Sequence, residues 1–227
     1  MLDAESISFL CWNIKKGMKP NWQKDLLDLA NGKDFVIIQE AILHSDLTEA
    51  FDGLAHWSFT KGYKTKKRTT GVMTISKHEP LRRHNLTSWE PWLATPKATN
   101  ITEYALSGTK ETLIVVNIHA INFTFGVKQF RKQIDKIRKV LTGHNGPVIL
   151  SGDFNTWRKK RMEILEALAI EHGLDALSFQ VDHRKTVFGQ LLDHVYVRAL
   201  TPESTGTHHV KSSDHNPLSA KLSHCSI

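Results

Sequence analysis

Ser151-Gly152-Asp153-Phe154-Asn155-Thr156 is where the reading of this chain begins. The apolar run Val148-Ile149-Leu150 precedes it, bounded by Gly146-Pro147 on one side and Gly152 on the other, and reads as a short buried strand. Asp153 and Asn155 are two residues apart, so extended backbone puts both side chains on one side of a sheet edge. A carboxylate and an amide placed that way can orient one water and one phosphate oxygen together. Alone, Gly-Asp-x-Asn is equally a polar turn after a strand, and its meaning depends on the rest of the chain.

Working outward, apolar runs predict strands over 7–12, 35–39, 71–76, 98–106, 113–119, 192–197 and 217–222. Helical spacing predicts helices over 22–30, 47–54, 128–141 and 161–172, with Asn31-Gly32, Gly143 and Gly173 as stops. The segment 59–70 reads as a mobile loop. The chain shows no repeat, low-complexity linker or composition break, so one domain over 1–227 is expected.

Acids, amides and imidazoles recur where these strands end. Asn13, Glu40, His119, Asp153 with Asn155, Asp193, and Asp214 with His215 each sit at or near a strand end. Singly, each has a plain structural reading: Asn13 caps a turn, Glu40 starts a helix, a lone His packs. Jointly, they predict one rim where the strand ends meet.

Thirty Lys and Arg against 23 Asp and Glu give a formal net charge of +7, which favours polyanionic partners such as nucleic acid or an anionic lipid surface. No apolar run is long enough to span a bilayer, and the start Met1-Leu2-Asp3-Ala4-Glu5 lacks the basic and apolar regions of a signal peptide. A cytoplasmic monomer is the expectation. If the first and last strands pair antiparallel, Cys11 lies opposite about residue 218, away from Cys225, so both thiols are expected to be free.

The set Trp12-Asn13-Ile14, Gln39-Glu40, Val116-Asn117-Ile118-His119, Gly152-Asp153-Phe154-Asn155, Leu192-Asp193-His194-Val195 and Ser213-Asp214-His215-Asn216-Pro217 resembles the endonuclease/exonuclease/phosphatase superfamily, in that family's motif order. Stretches 116–127, 157–162 and 213–218 are similar to its small bacterial YafD-like branch. The resemblance implies an α+β fold: a four-layer α/β/β/α sandwich of two mostly antiparallel sheets flanked by helices, as in deoxyribonuclease I. It implies Mg²⁺, with Mn²⁺ as a substitute, held by Glu40 and by Asp214 directly or through water. Asp153 is then the group that aligns or deprotonates water, and Asn13 and Asn155 bind phosphate or tether the acids. His215 contacts the scissile phosphate with Asp193 behind it, and His119 and Lys97 also reach phosphate. The expected activity is hydrolysis of a phosphodiester, with nucleic acid as substrate. A lipid or inositol phosphate headgroup is the alternative. A non-catalytic nucleic-acid-binding module comes third, because binding alone does not require Asp153, Asp193 and His215 together. Trp157 is a candidate stacking residue. The cluster Arg158, Lys159, Lys160 and Arg161 beside it is a candidate backbone-binding patch, or else a solvated helix end.

Overall fold

The computed structural model describes residues 1–43, 56–66, 68–91 and 94–224. Its strands are β1 (Ile7–Asn13), β2 (Phe35–Ile42), β3 (His56–Lys64), β4 (Thr69–Ser76), β5 (Arg82–Glu90), β6 (Thr95–Ala105), β7 (Thr112–His119), β8 (Val148–Asp153), β9 (Asp175–Ala176), β10 (Thr186–Val187), β11 (Gln190–Leu191), β12 (Asp193–Arg198), β13 (Thr201–Thr207) and β14 (Leu218–Ser223). The helices are α1 (Trp22–Ala30), α2 (Lys128–Leu141) and α3 (Lys159–Glu171).

The strands form two six-stranded sheets, ordered β13-β14-β1-β2-β4-β3 and β5-β6-β7-β8-β12-β9, with β10 and β11 as a separate hairpin. Each sheet is antiparallel except for one central parallel pair, β1 with β2 and β7 with β8. A parallel pair needs a crossover, and α1 and α2 supply the two. Phe9, Phe35, Ile37, Val115, Ile149 and Val195 fill the space between the sheets. Leu26 and Ala30 of α1 cover Trp12, Ile38 and Met73 on one outer face. Phe130, Ile134 and Ile137 of α2, with Leu165 and Leu168 of α3, cover Val116, Leu150 and Tyr196 on the other. Helix, sheet, sheet and helix layers follow from these three apolar contacts.

The two parallel pairs have a functional consequence. Asn13, Glu40, His119 and Asp153 all lie at or near the carboxyl ends of β1, β2, β7 and β8, where ligands of such sheets collect. Gly152 permits the close approach of β7 and β8. Its φ is +144°, and a Cβ there would lie 2.0 Å from the Ile118 carbonyl oxygen.

Three expectations change. Residues 56–64 and 69–76 are strands of a hairpin, so 59–70 is not a loop. β2 runs on past Glu40, which sits on a bulge between Gln39 and Ala41 at φ +51°. Strands β3, β5, β9 and β13 and the two-residue strands β10 and β11 were not predicted; the first four are sheet edges. Edge strands carry polar residues and proline, which hides the alternation that marks a strand; Arg82-Arg83-His84-Asn85 and Thr201-Pro202-Glu203-Ser204 are examples. The helix expected over 47–54 lies outside the described residues.

β1 and β14 pair antiparallel with Cys11 opposite Leu218, the register expected. Cys225 lies outside the described residues. Burial pushes the Cys11 thiol up to about 12. The native protein should therefore leave Cys11 unalkylated by iodoacetamide at pH 8 while the urea-unfolded protein reacts. Equal rates in both states, read by mass spectrometry, would contradict this packing.

Candidate active site

The catalytic candidates are built in rows. On the second sheet, His119 pairs with Asp153 across the parallel β7–β8 pair, and Asp153 pairs with Asp193 across β8–β12. Three neighbouring positions thus present an imidazole and two carboxylates on one face. On the first sheet, Asn13 ends β1 beside Gln39, the residue before Glu40. The stretch after 207 brings Asp214 and His215 between the two sheets. Trp12 Nε1 donates to the His215 carbonyl at 2.8 Å and Ser213 Oγ to the Asn13 carbonyl at 2.7 Å, which fixes that stretch against β1. A cleft of about 640 Å³ results, lined among others by Asn13, Glu40, His119, Asp153, Asp214 and His215.

Asp153 is held from two directions. Its Oδ2 accepts from Asn13 Nδ2 at 2.9 Å, and its Oδ1 accepts from the Asn155 backbone N–H at 3.0 Å. Asn155 stands at φ +50° and gives its side-chain Nδ2 to the Ala120 carbonyl at 3.1 Å. Burial raises the Asp153 carboxyl, the His215 charge opposes this, and Asp193 adds to it, leaving it at about 6.

His215 Nδ1 faces both Asp193 oxygens, at 2.8 and 3.0 Å, and its Nε2 lies 3.8 Å from Asp153 Oδ2. Burial disfavours the imidazolium, but the Asp193 and Asp153 charges outweigh it and push His215 up to about 9. His119 goes the other way. Burial, then the Lys97 and His215 charges, hold it well below the usual histidine range. Its Nε2 lies 2.9 Å from Lys97 Nζ, so a neutral His119 accepts from the lysine. Acidic oxygens are farther, at 3.7 Å on Asp153 and 3.8 Å on Glu40.

Lysines line the opposite side. Lys185 Nζ is 2.7 Å from Asp214 Oδ2 and 3.2 Å from His215 Nε2, and Lys15 Nζ is 3.3 Å from Asp214. Burial alone would raise Asp214; Lys185, His215 and Lys15 override it and bring it to about 2. Lys16 Nζ lies 3.8 Å from Glu40 Oε2. Lys15, Lys16 and Lys185 were not singled out in the sequence. The first two follow Asn13 directly and could have been; Lys185 sits in an irregular stretch and carries no local signal.

Two of the proposed substrate-binding residues need correction. Arg161 is not a surface cation: its exposure is 0%. It donates to the carbonyls of Ile121, Asn155 and Asn122 at 2.6, 3.0 and 2.6 Å, and to Thr124 Oγ1. Trp157 is not a free ring: Arg158 and Arg161 lie 4.4 and 4.9 Å from its centroid, and its Nε1 donates to Asn122 Oδ1 at 2.9 Å. Arg158, Lys159 and Lys160 stay exposed. Strand-end reasoning also passed over the buried amides Gln39 and Asn117, which bond at 2.8 Å and tie the two sheets together beneath the site.

The family model for the Endonuclease/Exonuclease/phosphatase family matches residues 10–215. The chain belongs to this family. Its relatives include the UPF0294 protein of Vibrio campbellii, 38% identical over 223 residues, covering 96% of this chain and 78% of that protein. A UPF0294 protein of Yersinia pestis is 35% identical over 216 residues, covering 95% and 83%. Solved family folds superpose on it throughout. An endonuclease/exonuclease/phosphatase from Bacteroides vulgatus gives a TM-score of 0.74 at 16% identity, covering 97% of this chain and 99% of that one. The human Nocturnin catalytic domain with bound sulfate anion gives 0.71 at 18%, covering 99% and 97%. D. rerio TDP2 complexed with single strand DNA product gives 0.69 at 15%, covering 96% and 98%. The fold is that of the family, an α+β sandwich of two sheets flanked by helices. No described helix is long and apolar enough to cross a membrane.

Proposed function

We propose that this protein is a divalent-metal-dependent phosphodiester hydrolase acting on nucleic acid. The observation that carries the reading is the pinned Asp153 carboxylate lying 3.8 Å from a cationic His215. Hydrolysis of a phosphodiester needs a base for water and fixed positive charge for the phosphate. Asp153 at about 6 is ionised at neutral pH yet more basic than a free aspartate, which suits it to take a proton from water. Asn13 and the Asn155 N–H hold it in one orientation. His215, kept protonated by Asp193, faces the same space and can donate from Nε2 to a phosphate oxygen. Neutral His119 orients the Lys97 ammonium toward the cleft, and Lys185 adds a second.

A hard cation suits Glu40. Among the described residues, no hydrogen-bond donor reaches its carboxylate, although it lies in the cleft on a bulge, with only Lys16 and His119 at 3.8 Å. Glu40 and Asp214, which line the same cleft, offer the oxygen ligands that Mg²⁺ or Mn²⁺ takes; a bound ion would supply Lewis-acid charge to the phosphate. Asp153, Asp193 and His215 also have ligand atoms within 4.8 Å of one another. We assign that group to proton handling instead, because His215 is engaged with Asp193 and carries a proton of its own. Replacing Glu40 with Gln should weaken Mn²⁺ binding at least tenfold by calorimetry, and EDTA should abolish turnover of a chromogenic phosphodiester. Turnover that survives chelation would sink the metal reading. Running plasmid, single-stranded DNA, RNA, sphingomyelin and an inositol phosphate in parallel tests the substrate class.

Charge supports nucleic acid. Arg158, Lys159 and Lys160 stand at the N-terminus of α3, where the helix dipole disfavours cations and no acid sits in the first turn. Anionic phosphates would relieve that conflict. Changing the three to Ser should flatten the salt dependence of oligonucleotide binding, by about 0.7 log unit per lost contact on a single strand. An unchanged slope would leave the cluster as a solvated helix end and favour a small headgroup substrate.

A further inference from the structure

Phe188 breaks two local preferences at once. Phe188 and Gly189 are the central pair of the turn joining β10 and β11, where Val187 pairs with Gln190. Both have positive φ, +51° and +73°. Two-residue turns of this kind favour Asn-Gly, and a phenylalanine rarely adopts the left-handed region. The residue is also 84% exposed. Neither fold stability nor solubility favours phenylalanine here.

Its surroundings give the residue a context. Phe188 lines the cleft, as do Phe123 and Trp157. The Trp157 ring meets it edge-on, with centroids 6.3 Å apart at 60°. Phe123 is 56% exposed, yet its backbone is held firmly. The buried Glu90 carboxylate accepts from the N–H groups of Asn122 and Phe123, and Arg161 binds the Ile121 and Asn122 carbonyls. Two buried charges thus hold in place a segment whose exposed side chain is an aromatic ring at the cleft. Lys185, three residues before Phe188, touches Asp214 and His215. One short stretch therefore spans from the reacting centre to the rim, about 10 Å at most.

We propose that Phe188, backed by Trp157 and with Phe123 lining the same cleft, is a stacking ledge for an unpaired base beside the scissile phosphate, so that single-stranded nucleic acid is the substrate class. The inference rests on the phosphodiesterase reading above. Every base offers a flat face to an aromatic ring once it is unstacked, and a duplex keeps those faces covered.

Phe188→Asn tests it without endangering the fold, because the turn then carries its preferred Asn-Gly pair. The variant should melt at the same or a higher temperature. Its affinity for a short single-stranded oligonucleotide, measured by fluorescence anisotropy in EDTA, should fall about tenfold or more, the effect of one lost base stack. With Mn²⁺ present, the ratio of kcat/KM for the oligonucleotide to that for bis(4-nitrophenyl) phosphate should fall by a similar factor, and Phe188→Trp should restore it. Unchanged oligonucleotide affinity, or wild-type binding as tight to duplex as to single strand, overturns the ledge. So does a loss of binding to phosphatidylserine vesicles with oligonucleotide affinity intact, which would make the ring a lipid contact. A lowered melting temperature would make it a packing residue. Wild-type binding of the single strand without turnover of any diester would instead remove the hydrolase reading and leave the ledge standing.

Discussion

An Ala in place of His215 should lower kcat on a phosphodiester at least about 10²–10³-fold, the loss typical of removing one hydrogen-bond donor to the transition state. His215 Nε2 lies 3.8 Å from Asp153 Oδ2 and its Nδ1 2.8 Å from Asp193, and the two carboxylate charges favour its protonated form. The pH profile supplies a second reading. In the proposed reaction Asp153 must be ionised to accept a proton, so the rate should fall as pH drops through about 6. His215 must be protonated to donate, so the rate should fall as pH rises through about 9. The two limbs belong to one interacting site. His215→Ala should abolish the alkaline limb and move the acid limb upward, because Asp153 loses the positive charge that opposes its burial. A loss below tenfold with an unchanged alkaline limb would take His215 out of the chemistry.

Arg161→Met should destabilise the fold by about 3 kcal/mol or more in urea unfolding. The methionine keeps the apolar stem but removes the donors to the Ile121, Asn122 and Asn155 carbonyls. Each buried acceptor left without a donor costs about 1–3 kcal/mol. Lys should not rescue it, since one ammonium cannot reproduce the planar fork that meets three carbonyls. The effect should reach the site as well, because Asn155 fixes Asp153 and Asn122 fixes Trp157. A cost under 1 kcal/mol would mean that water replaces the guanidinium, and Arg161 would return to the list of surface cations.

Arg161 shows how far a sequence reading carries. In sequence it is the fourth of four consecutive cations, and nothing local separates it from Arg158, Lys159 and Lys160. The start of α3 at Lys159 turns it toward Phe130 and the chain after β7, with its guanidinium 5.2 Å from the Phe130 ring. A helix phase of one or two residues decides between solvent and core, and helix starts are the least legible part of a sequence. Phe188 was overlooked for a related reason. A phenylalanine between two two-residue strands has no periodicity to report, and its meaning depends on a positive φ that only the hairpin reveals.

The interior strands and the polar residues at their ends were legible because each buried strand is a local apolar run broken by one polar residue. Val116-Asn117-Ile118-His119 and Ser151-Gly152-Asp153 show this without any tertiary knowledge. Helices α1 and α2 were legible for the same reason, since one apolar stripe at helical spacing has one way to be buried. The family motifs added an order for these pieces. Tertiary structure decided the rest. It aligned His119, Asp153 and Asp193 in one row across three strands, set His215 against Asp193 from 22 residues away, and left the Glu40 carboxylate, on its bulge, without a hydrogen-bond donor among the described residues. It also gave His119 and His215 opposite charge states, although both are buried histidines lining one cleft. Burial disfavours charge on both; Lys97 faces one and two carboxylates face the other. Charge state depends on neighbours in space, and a sequence records only neighbours along the chain.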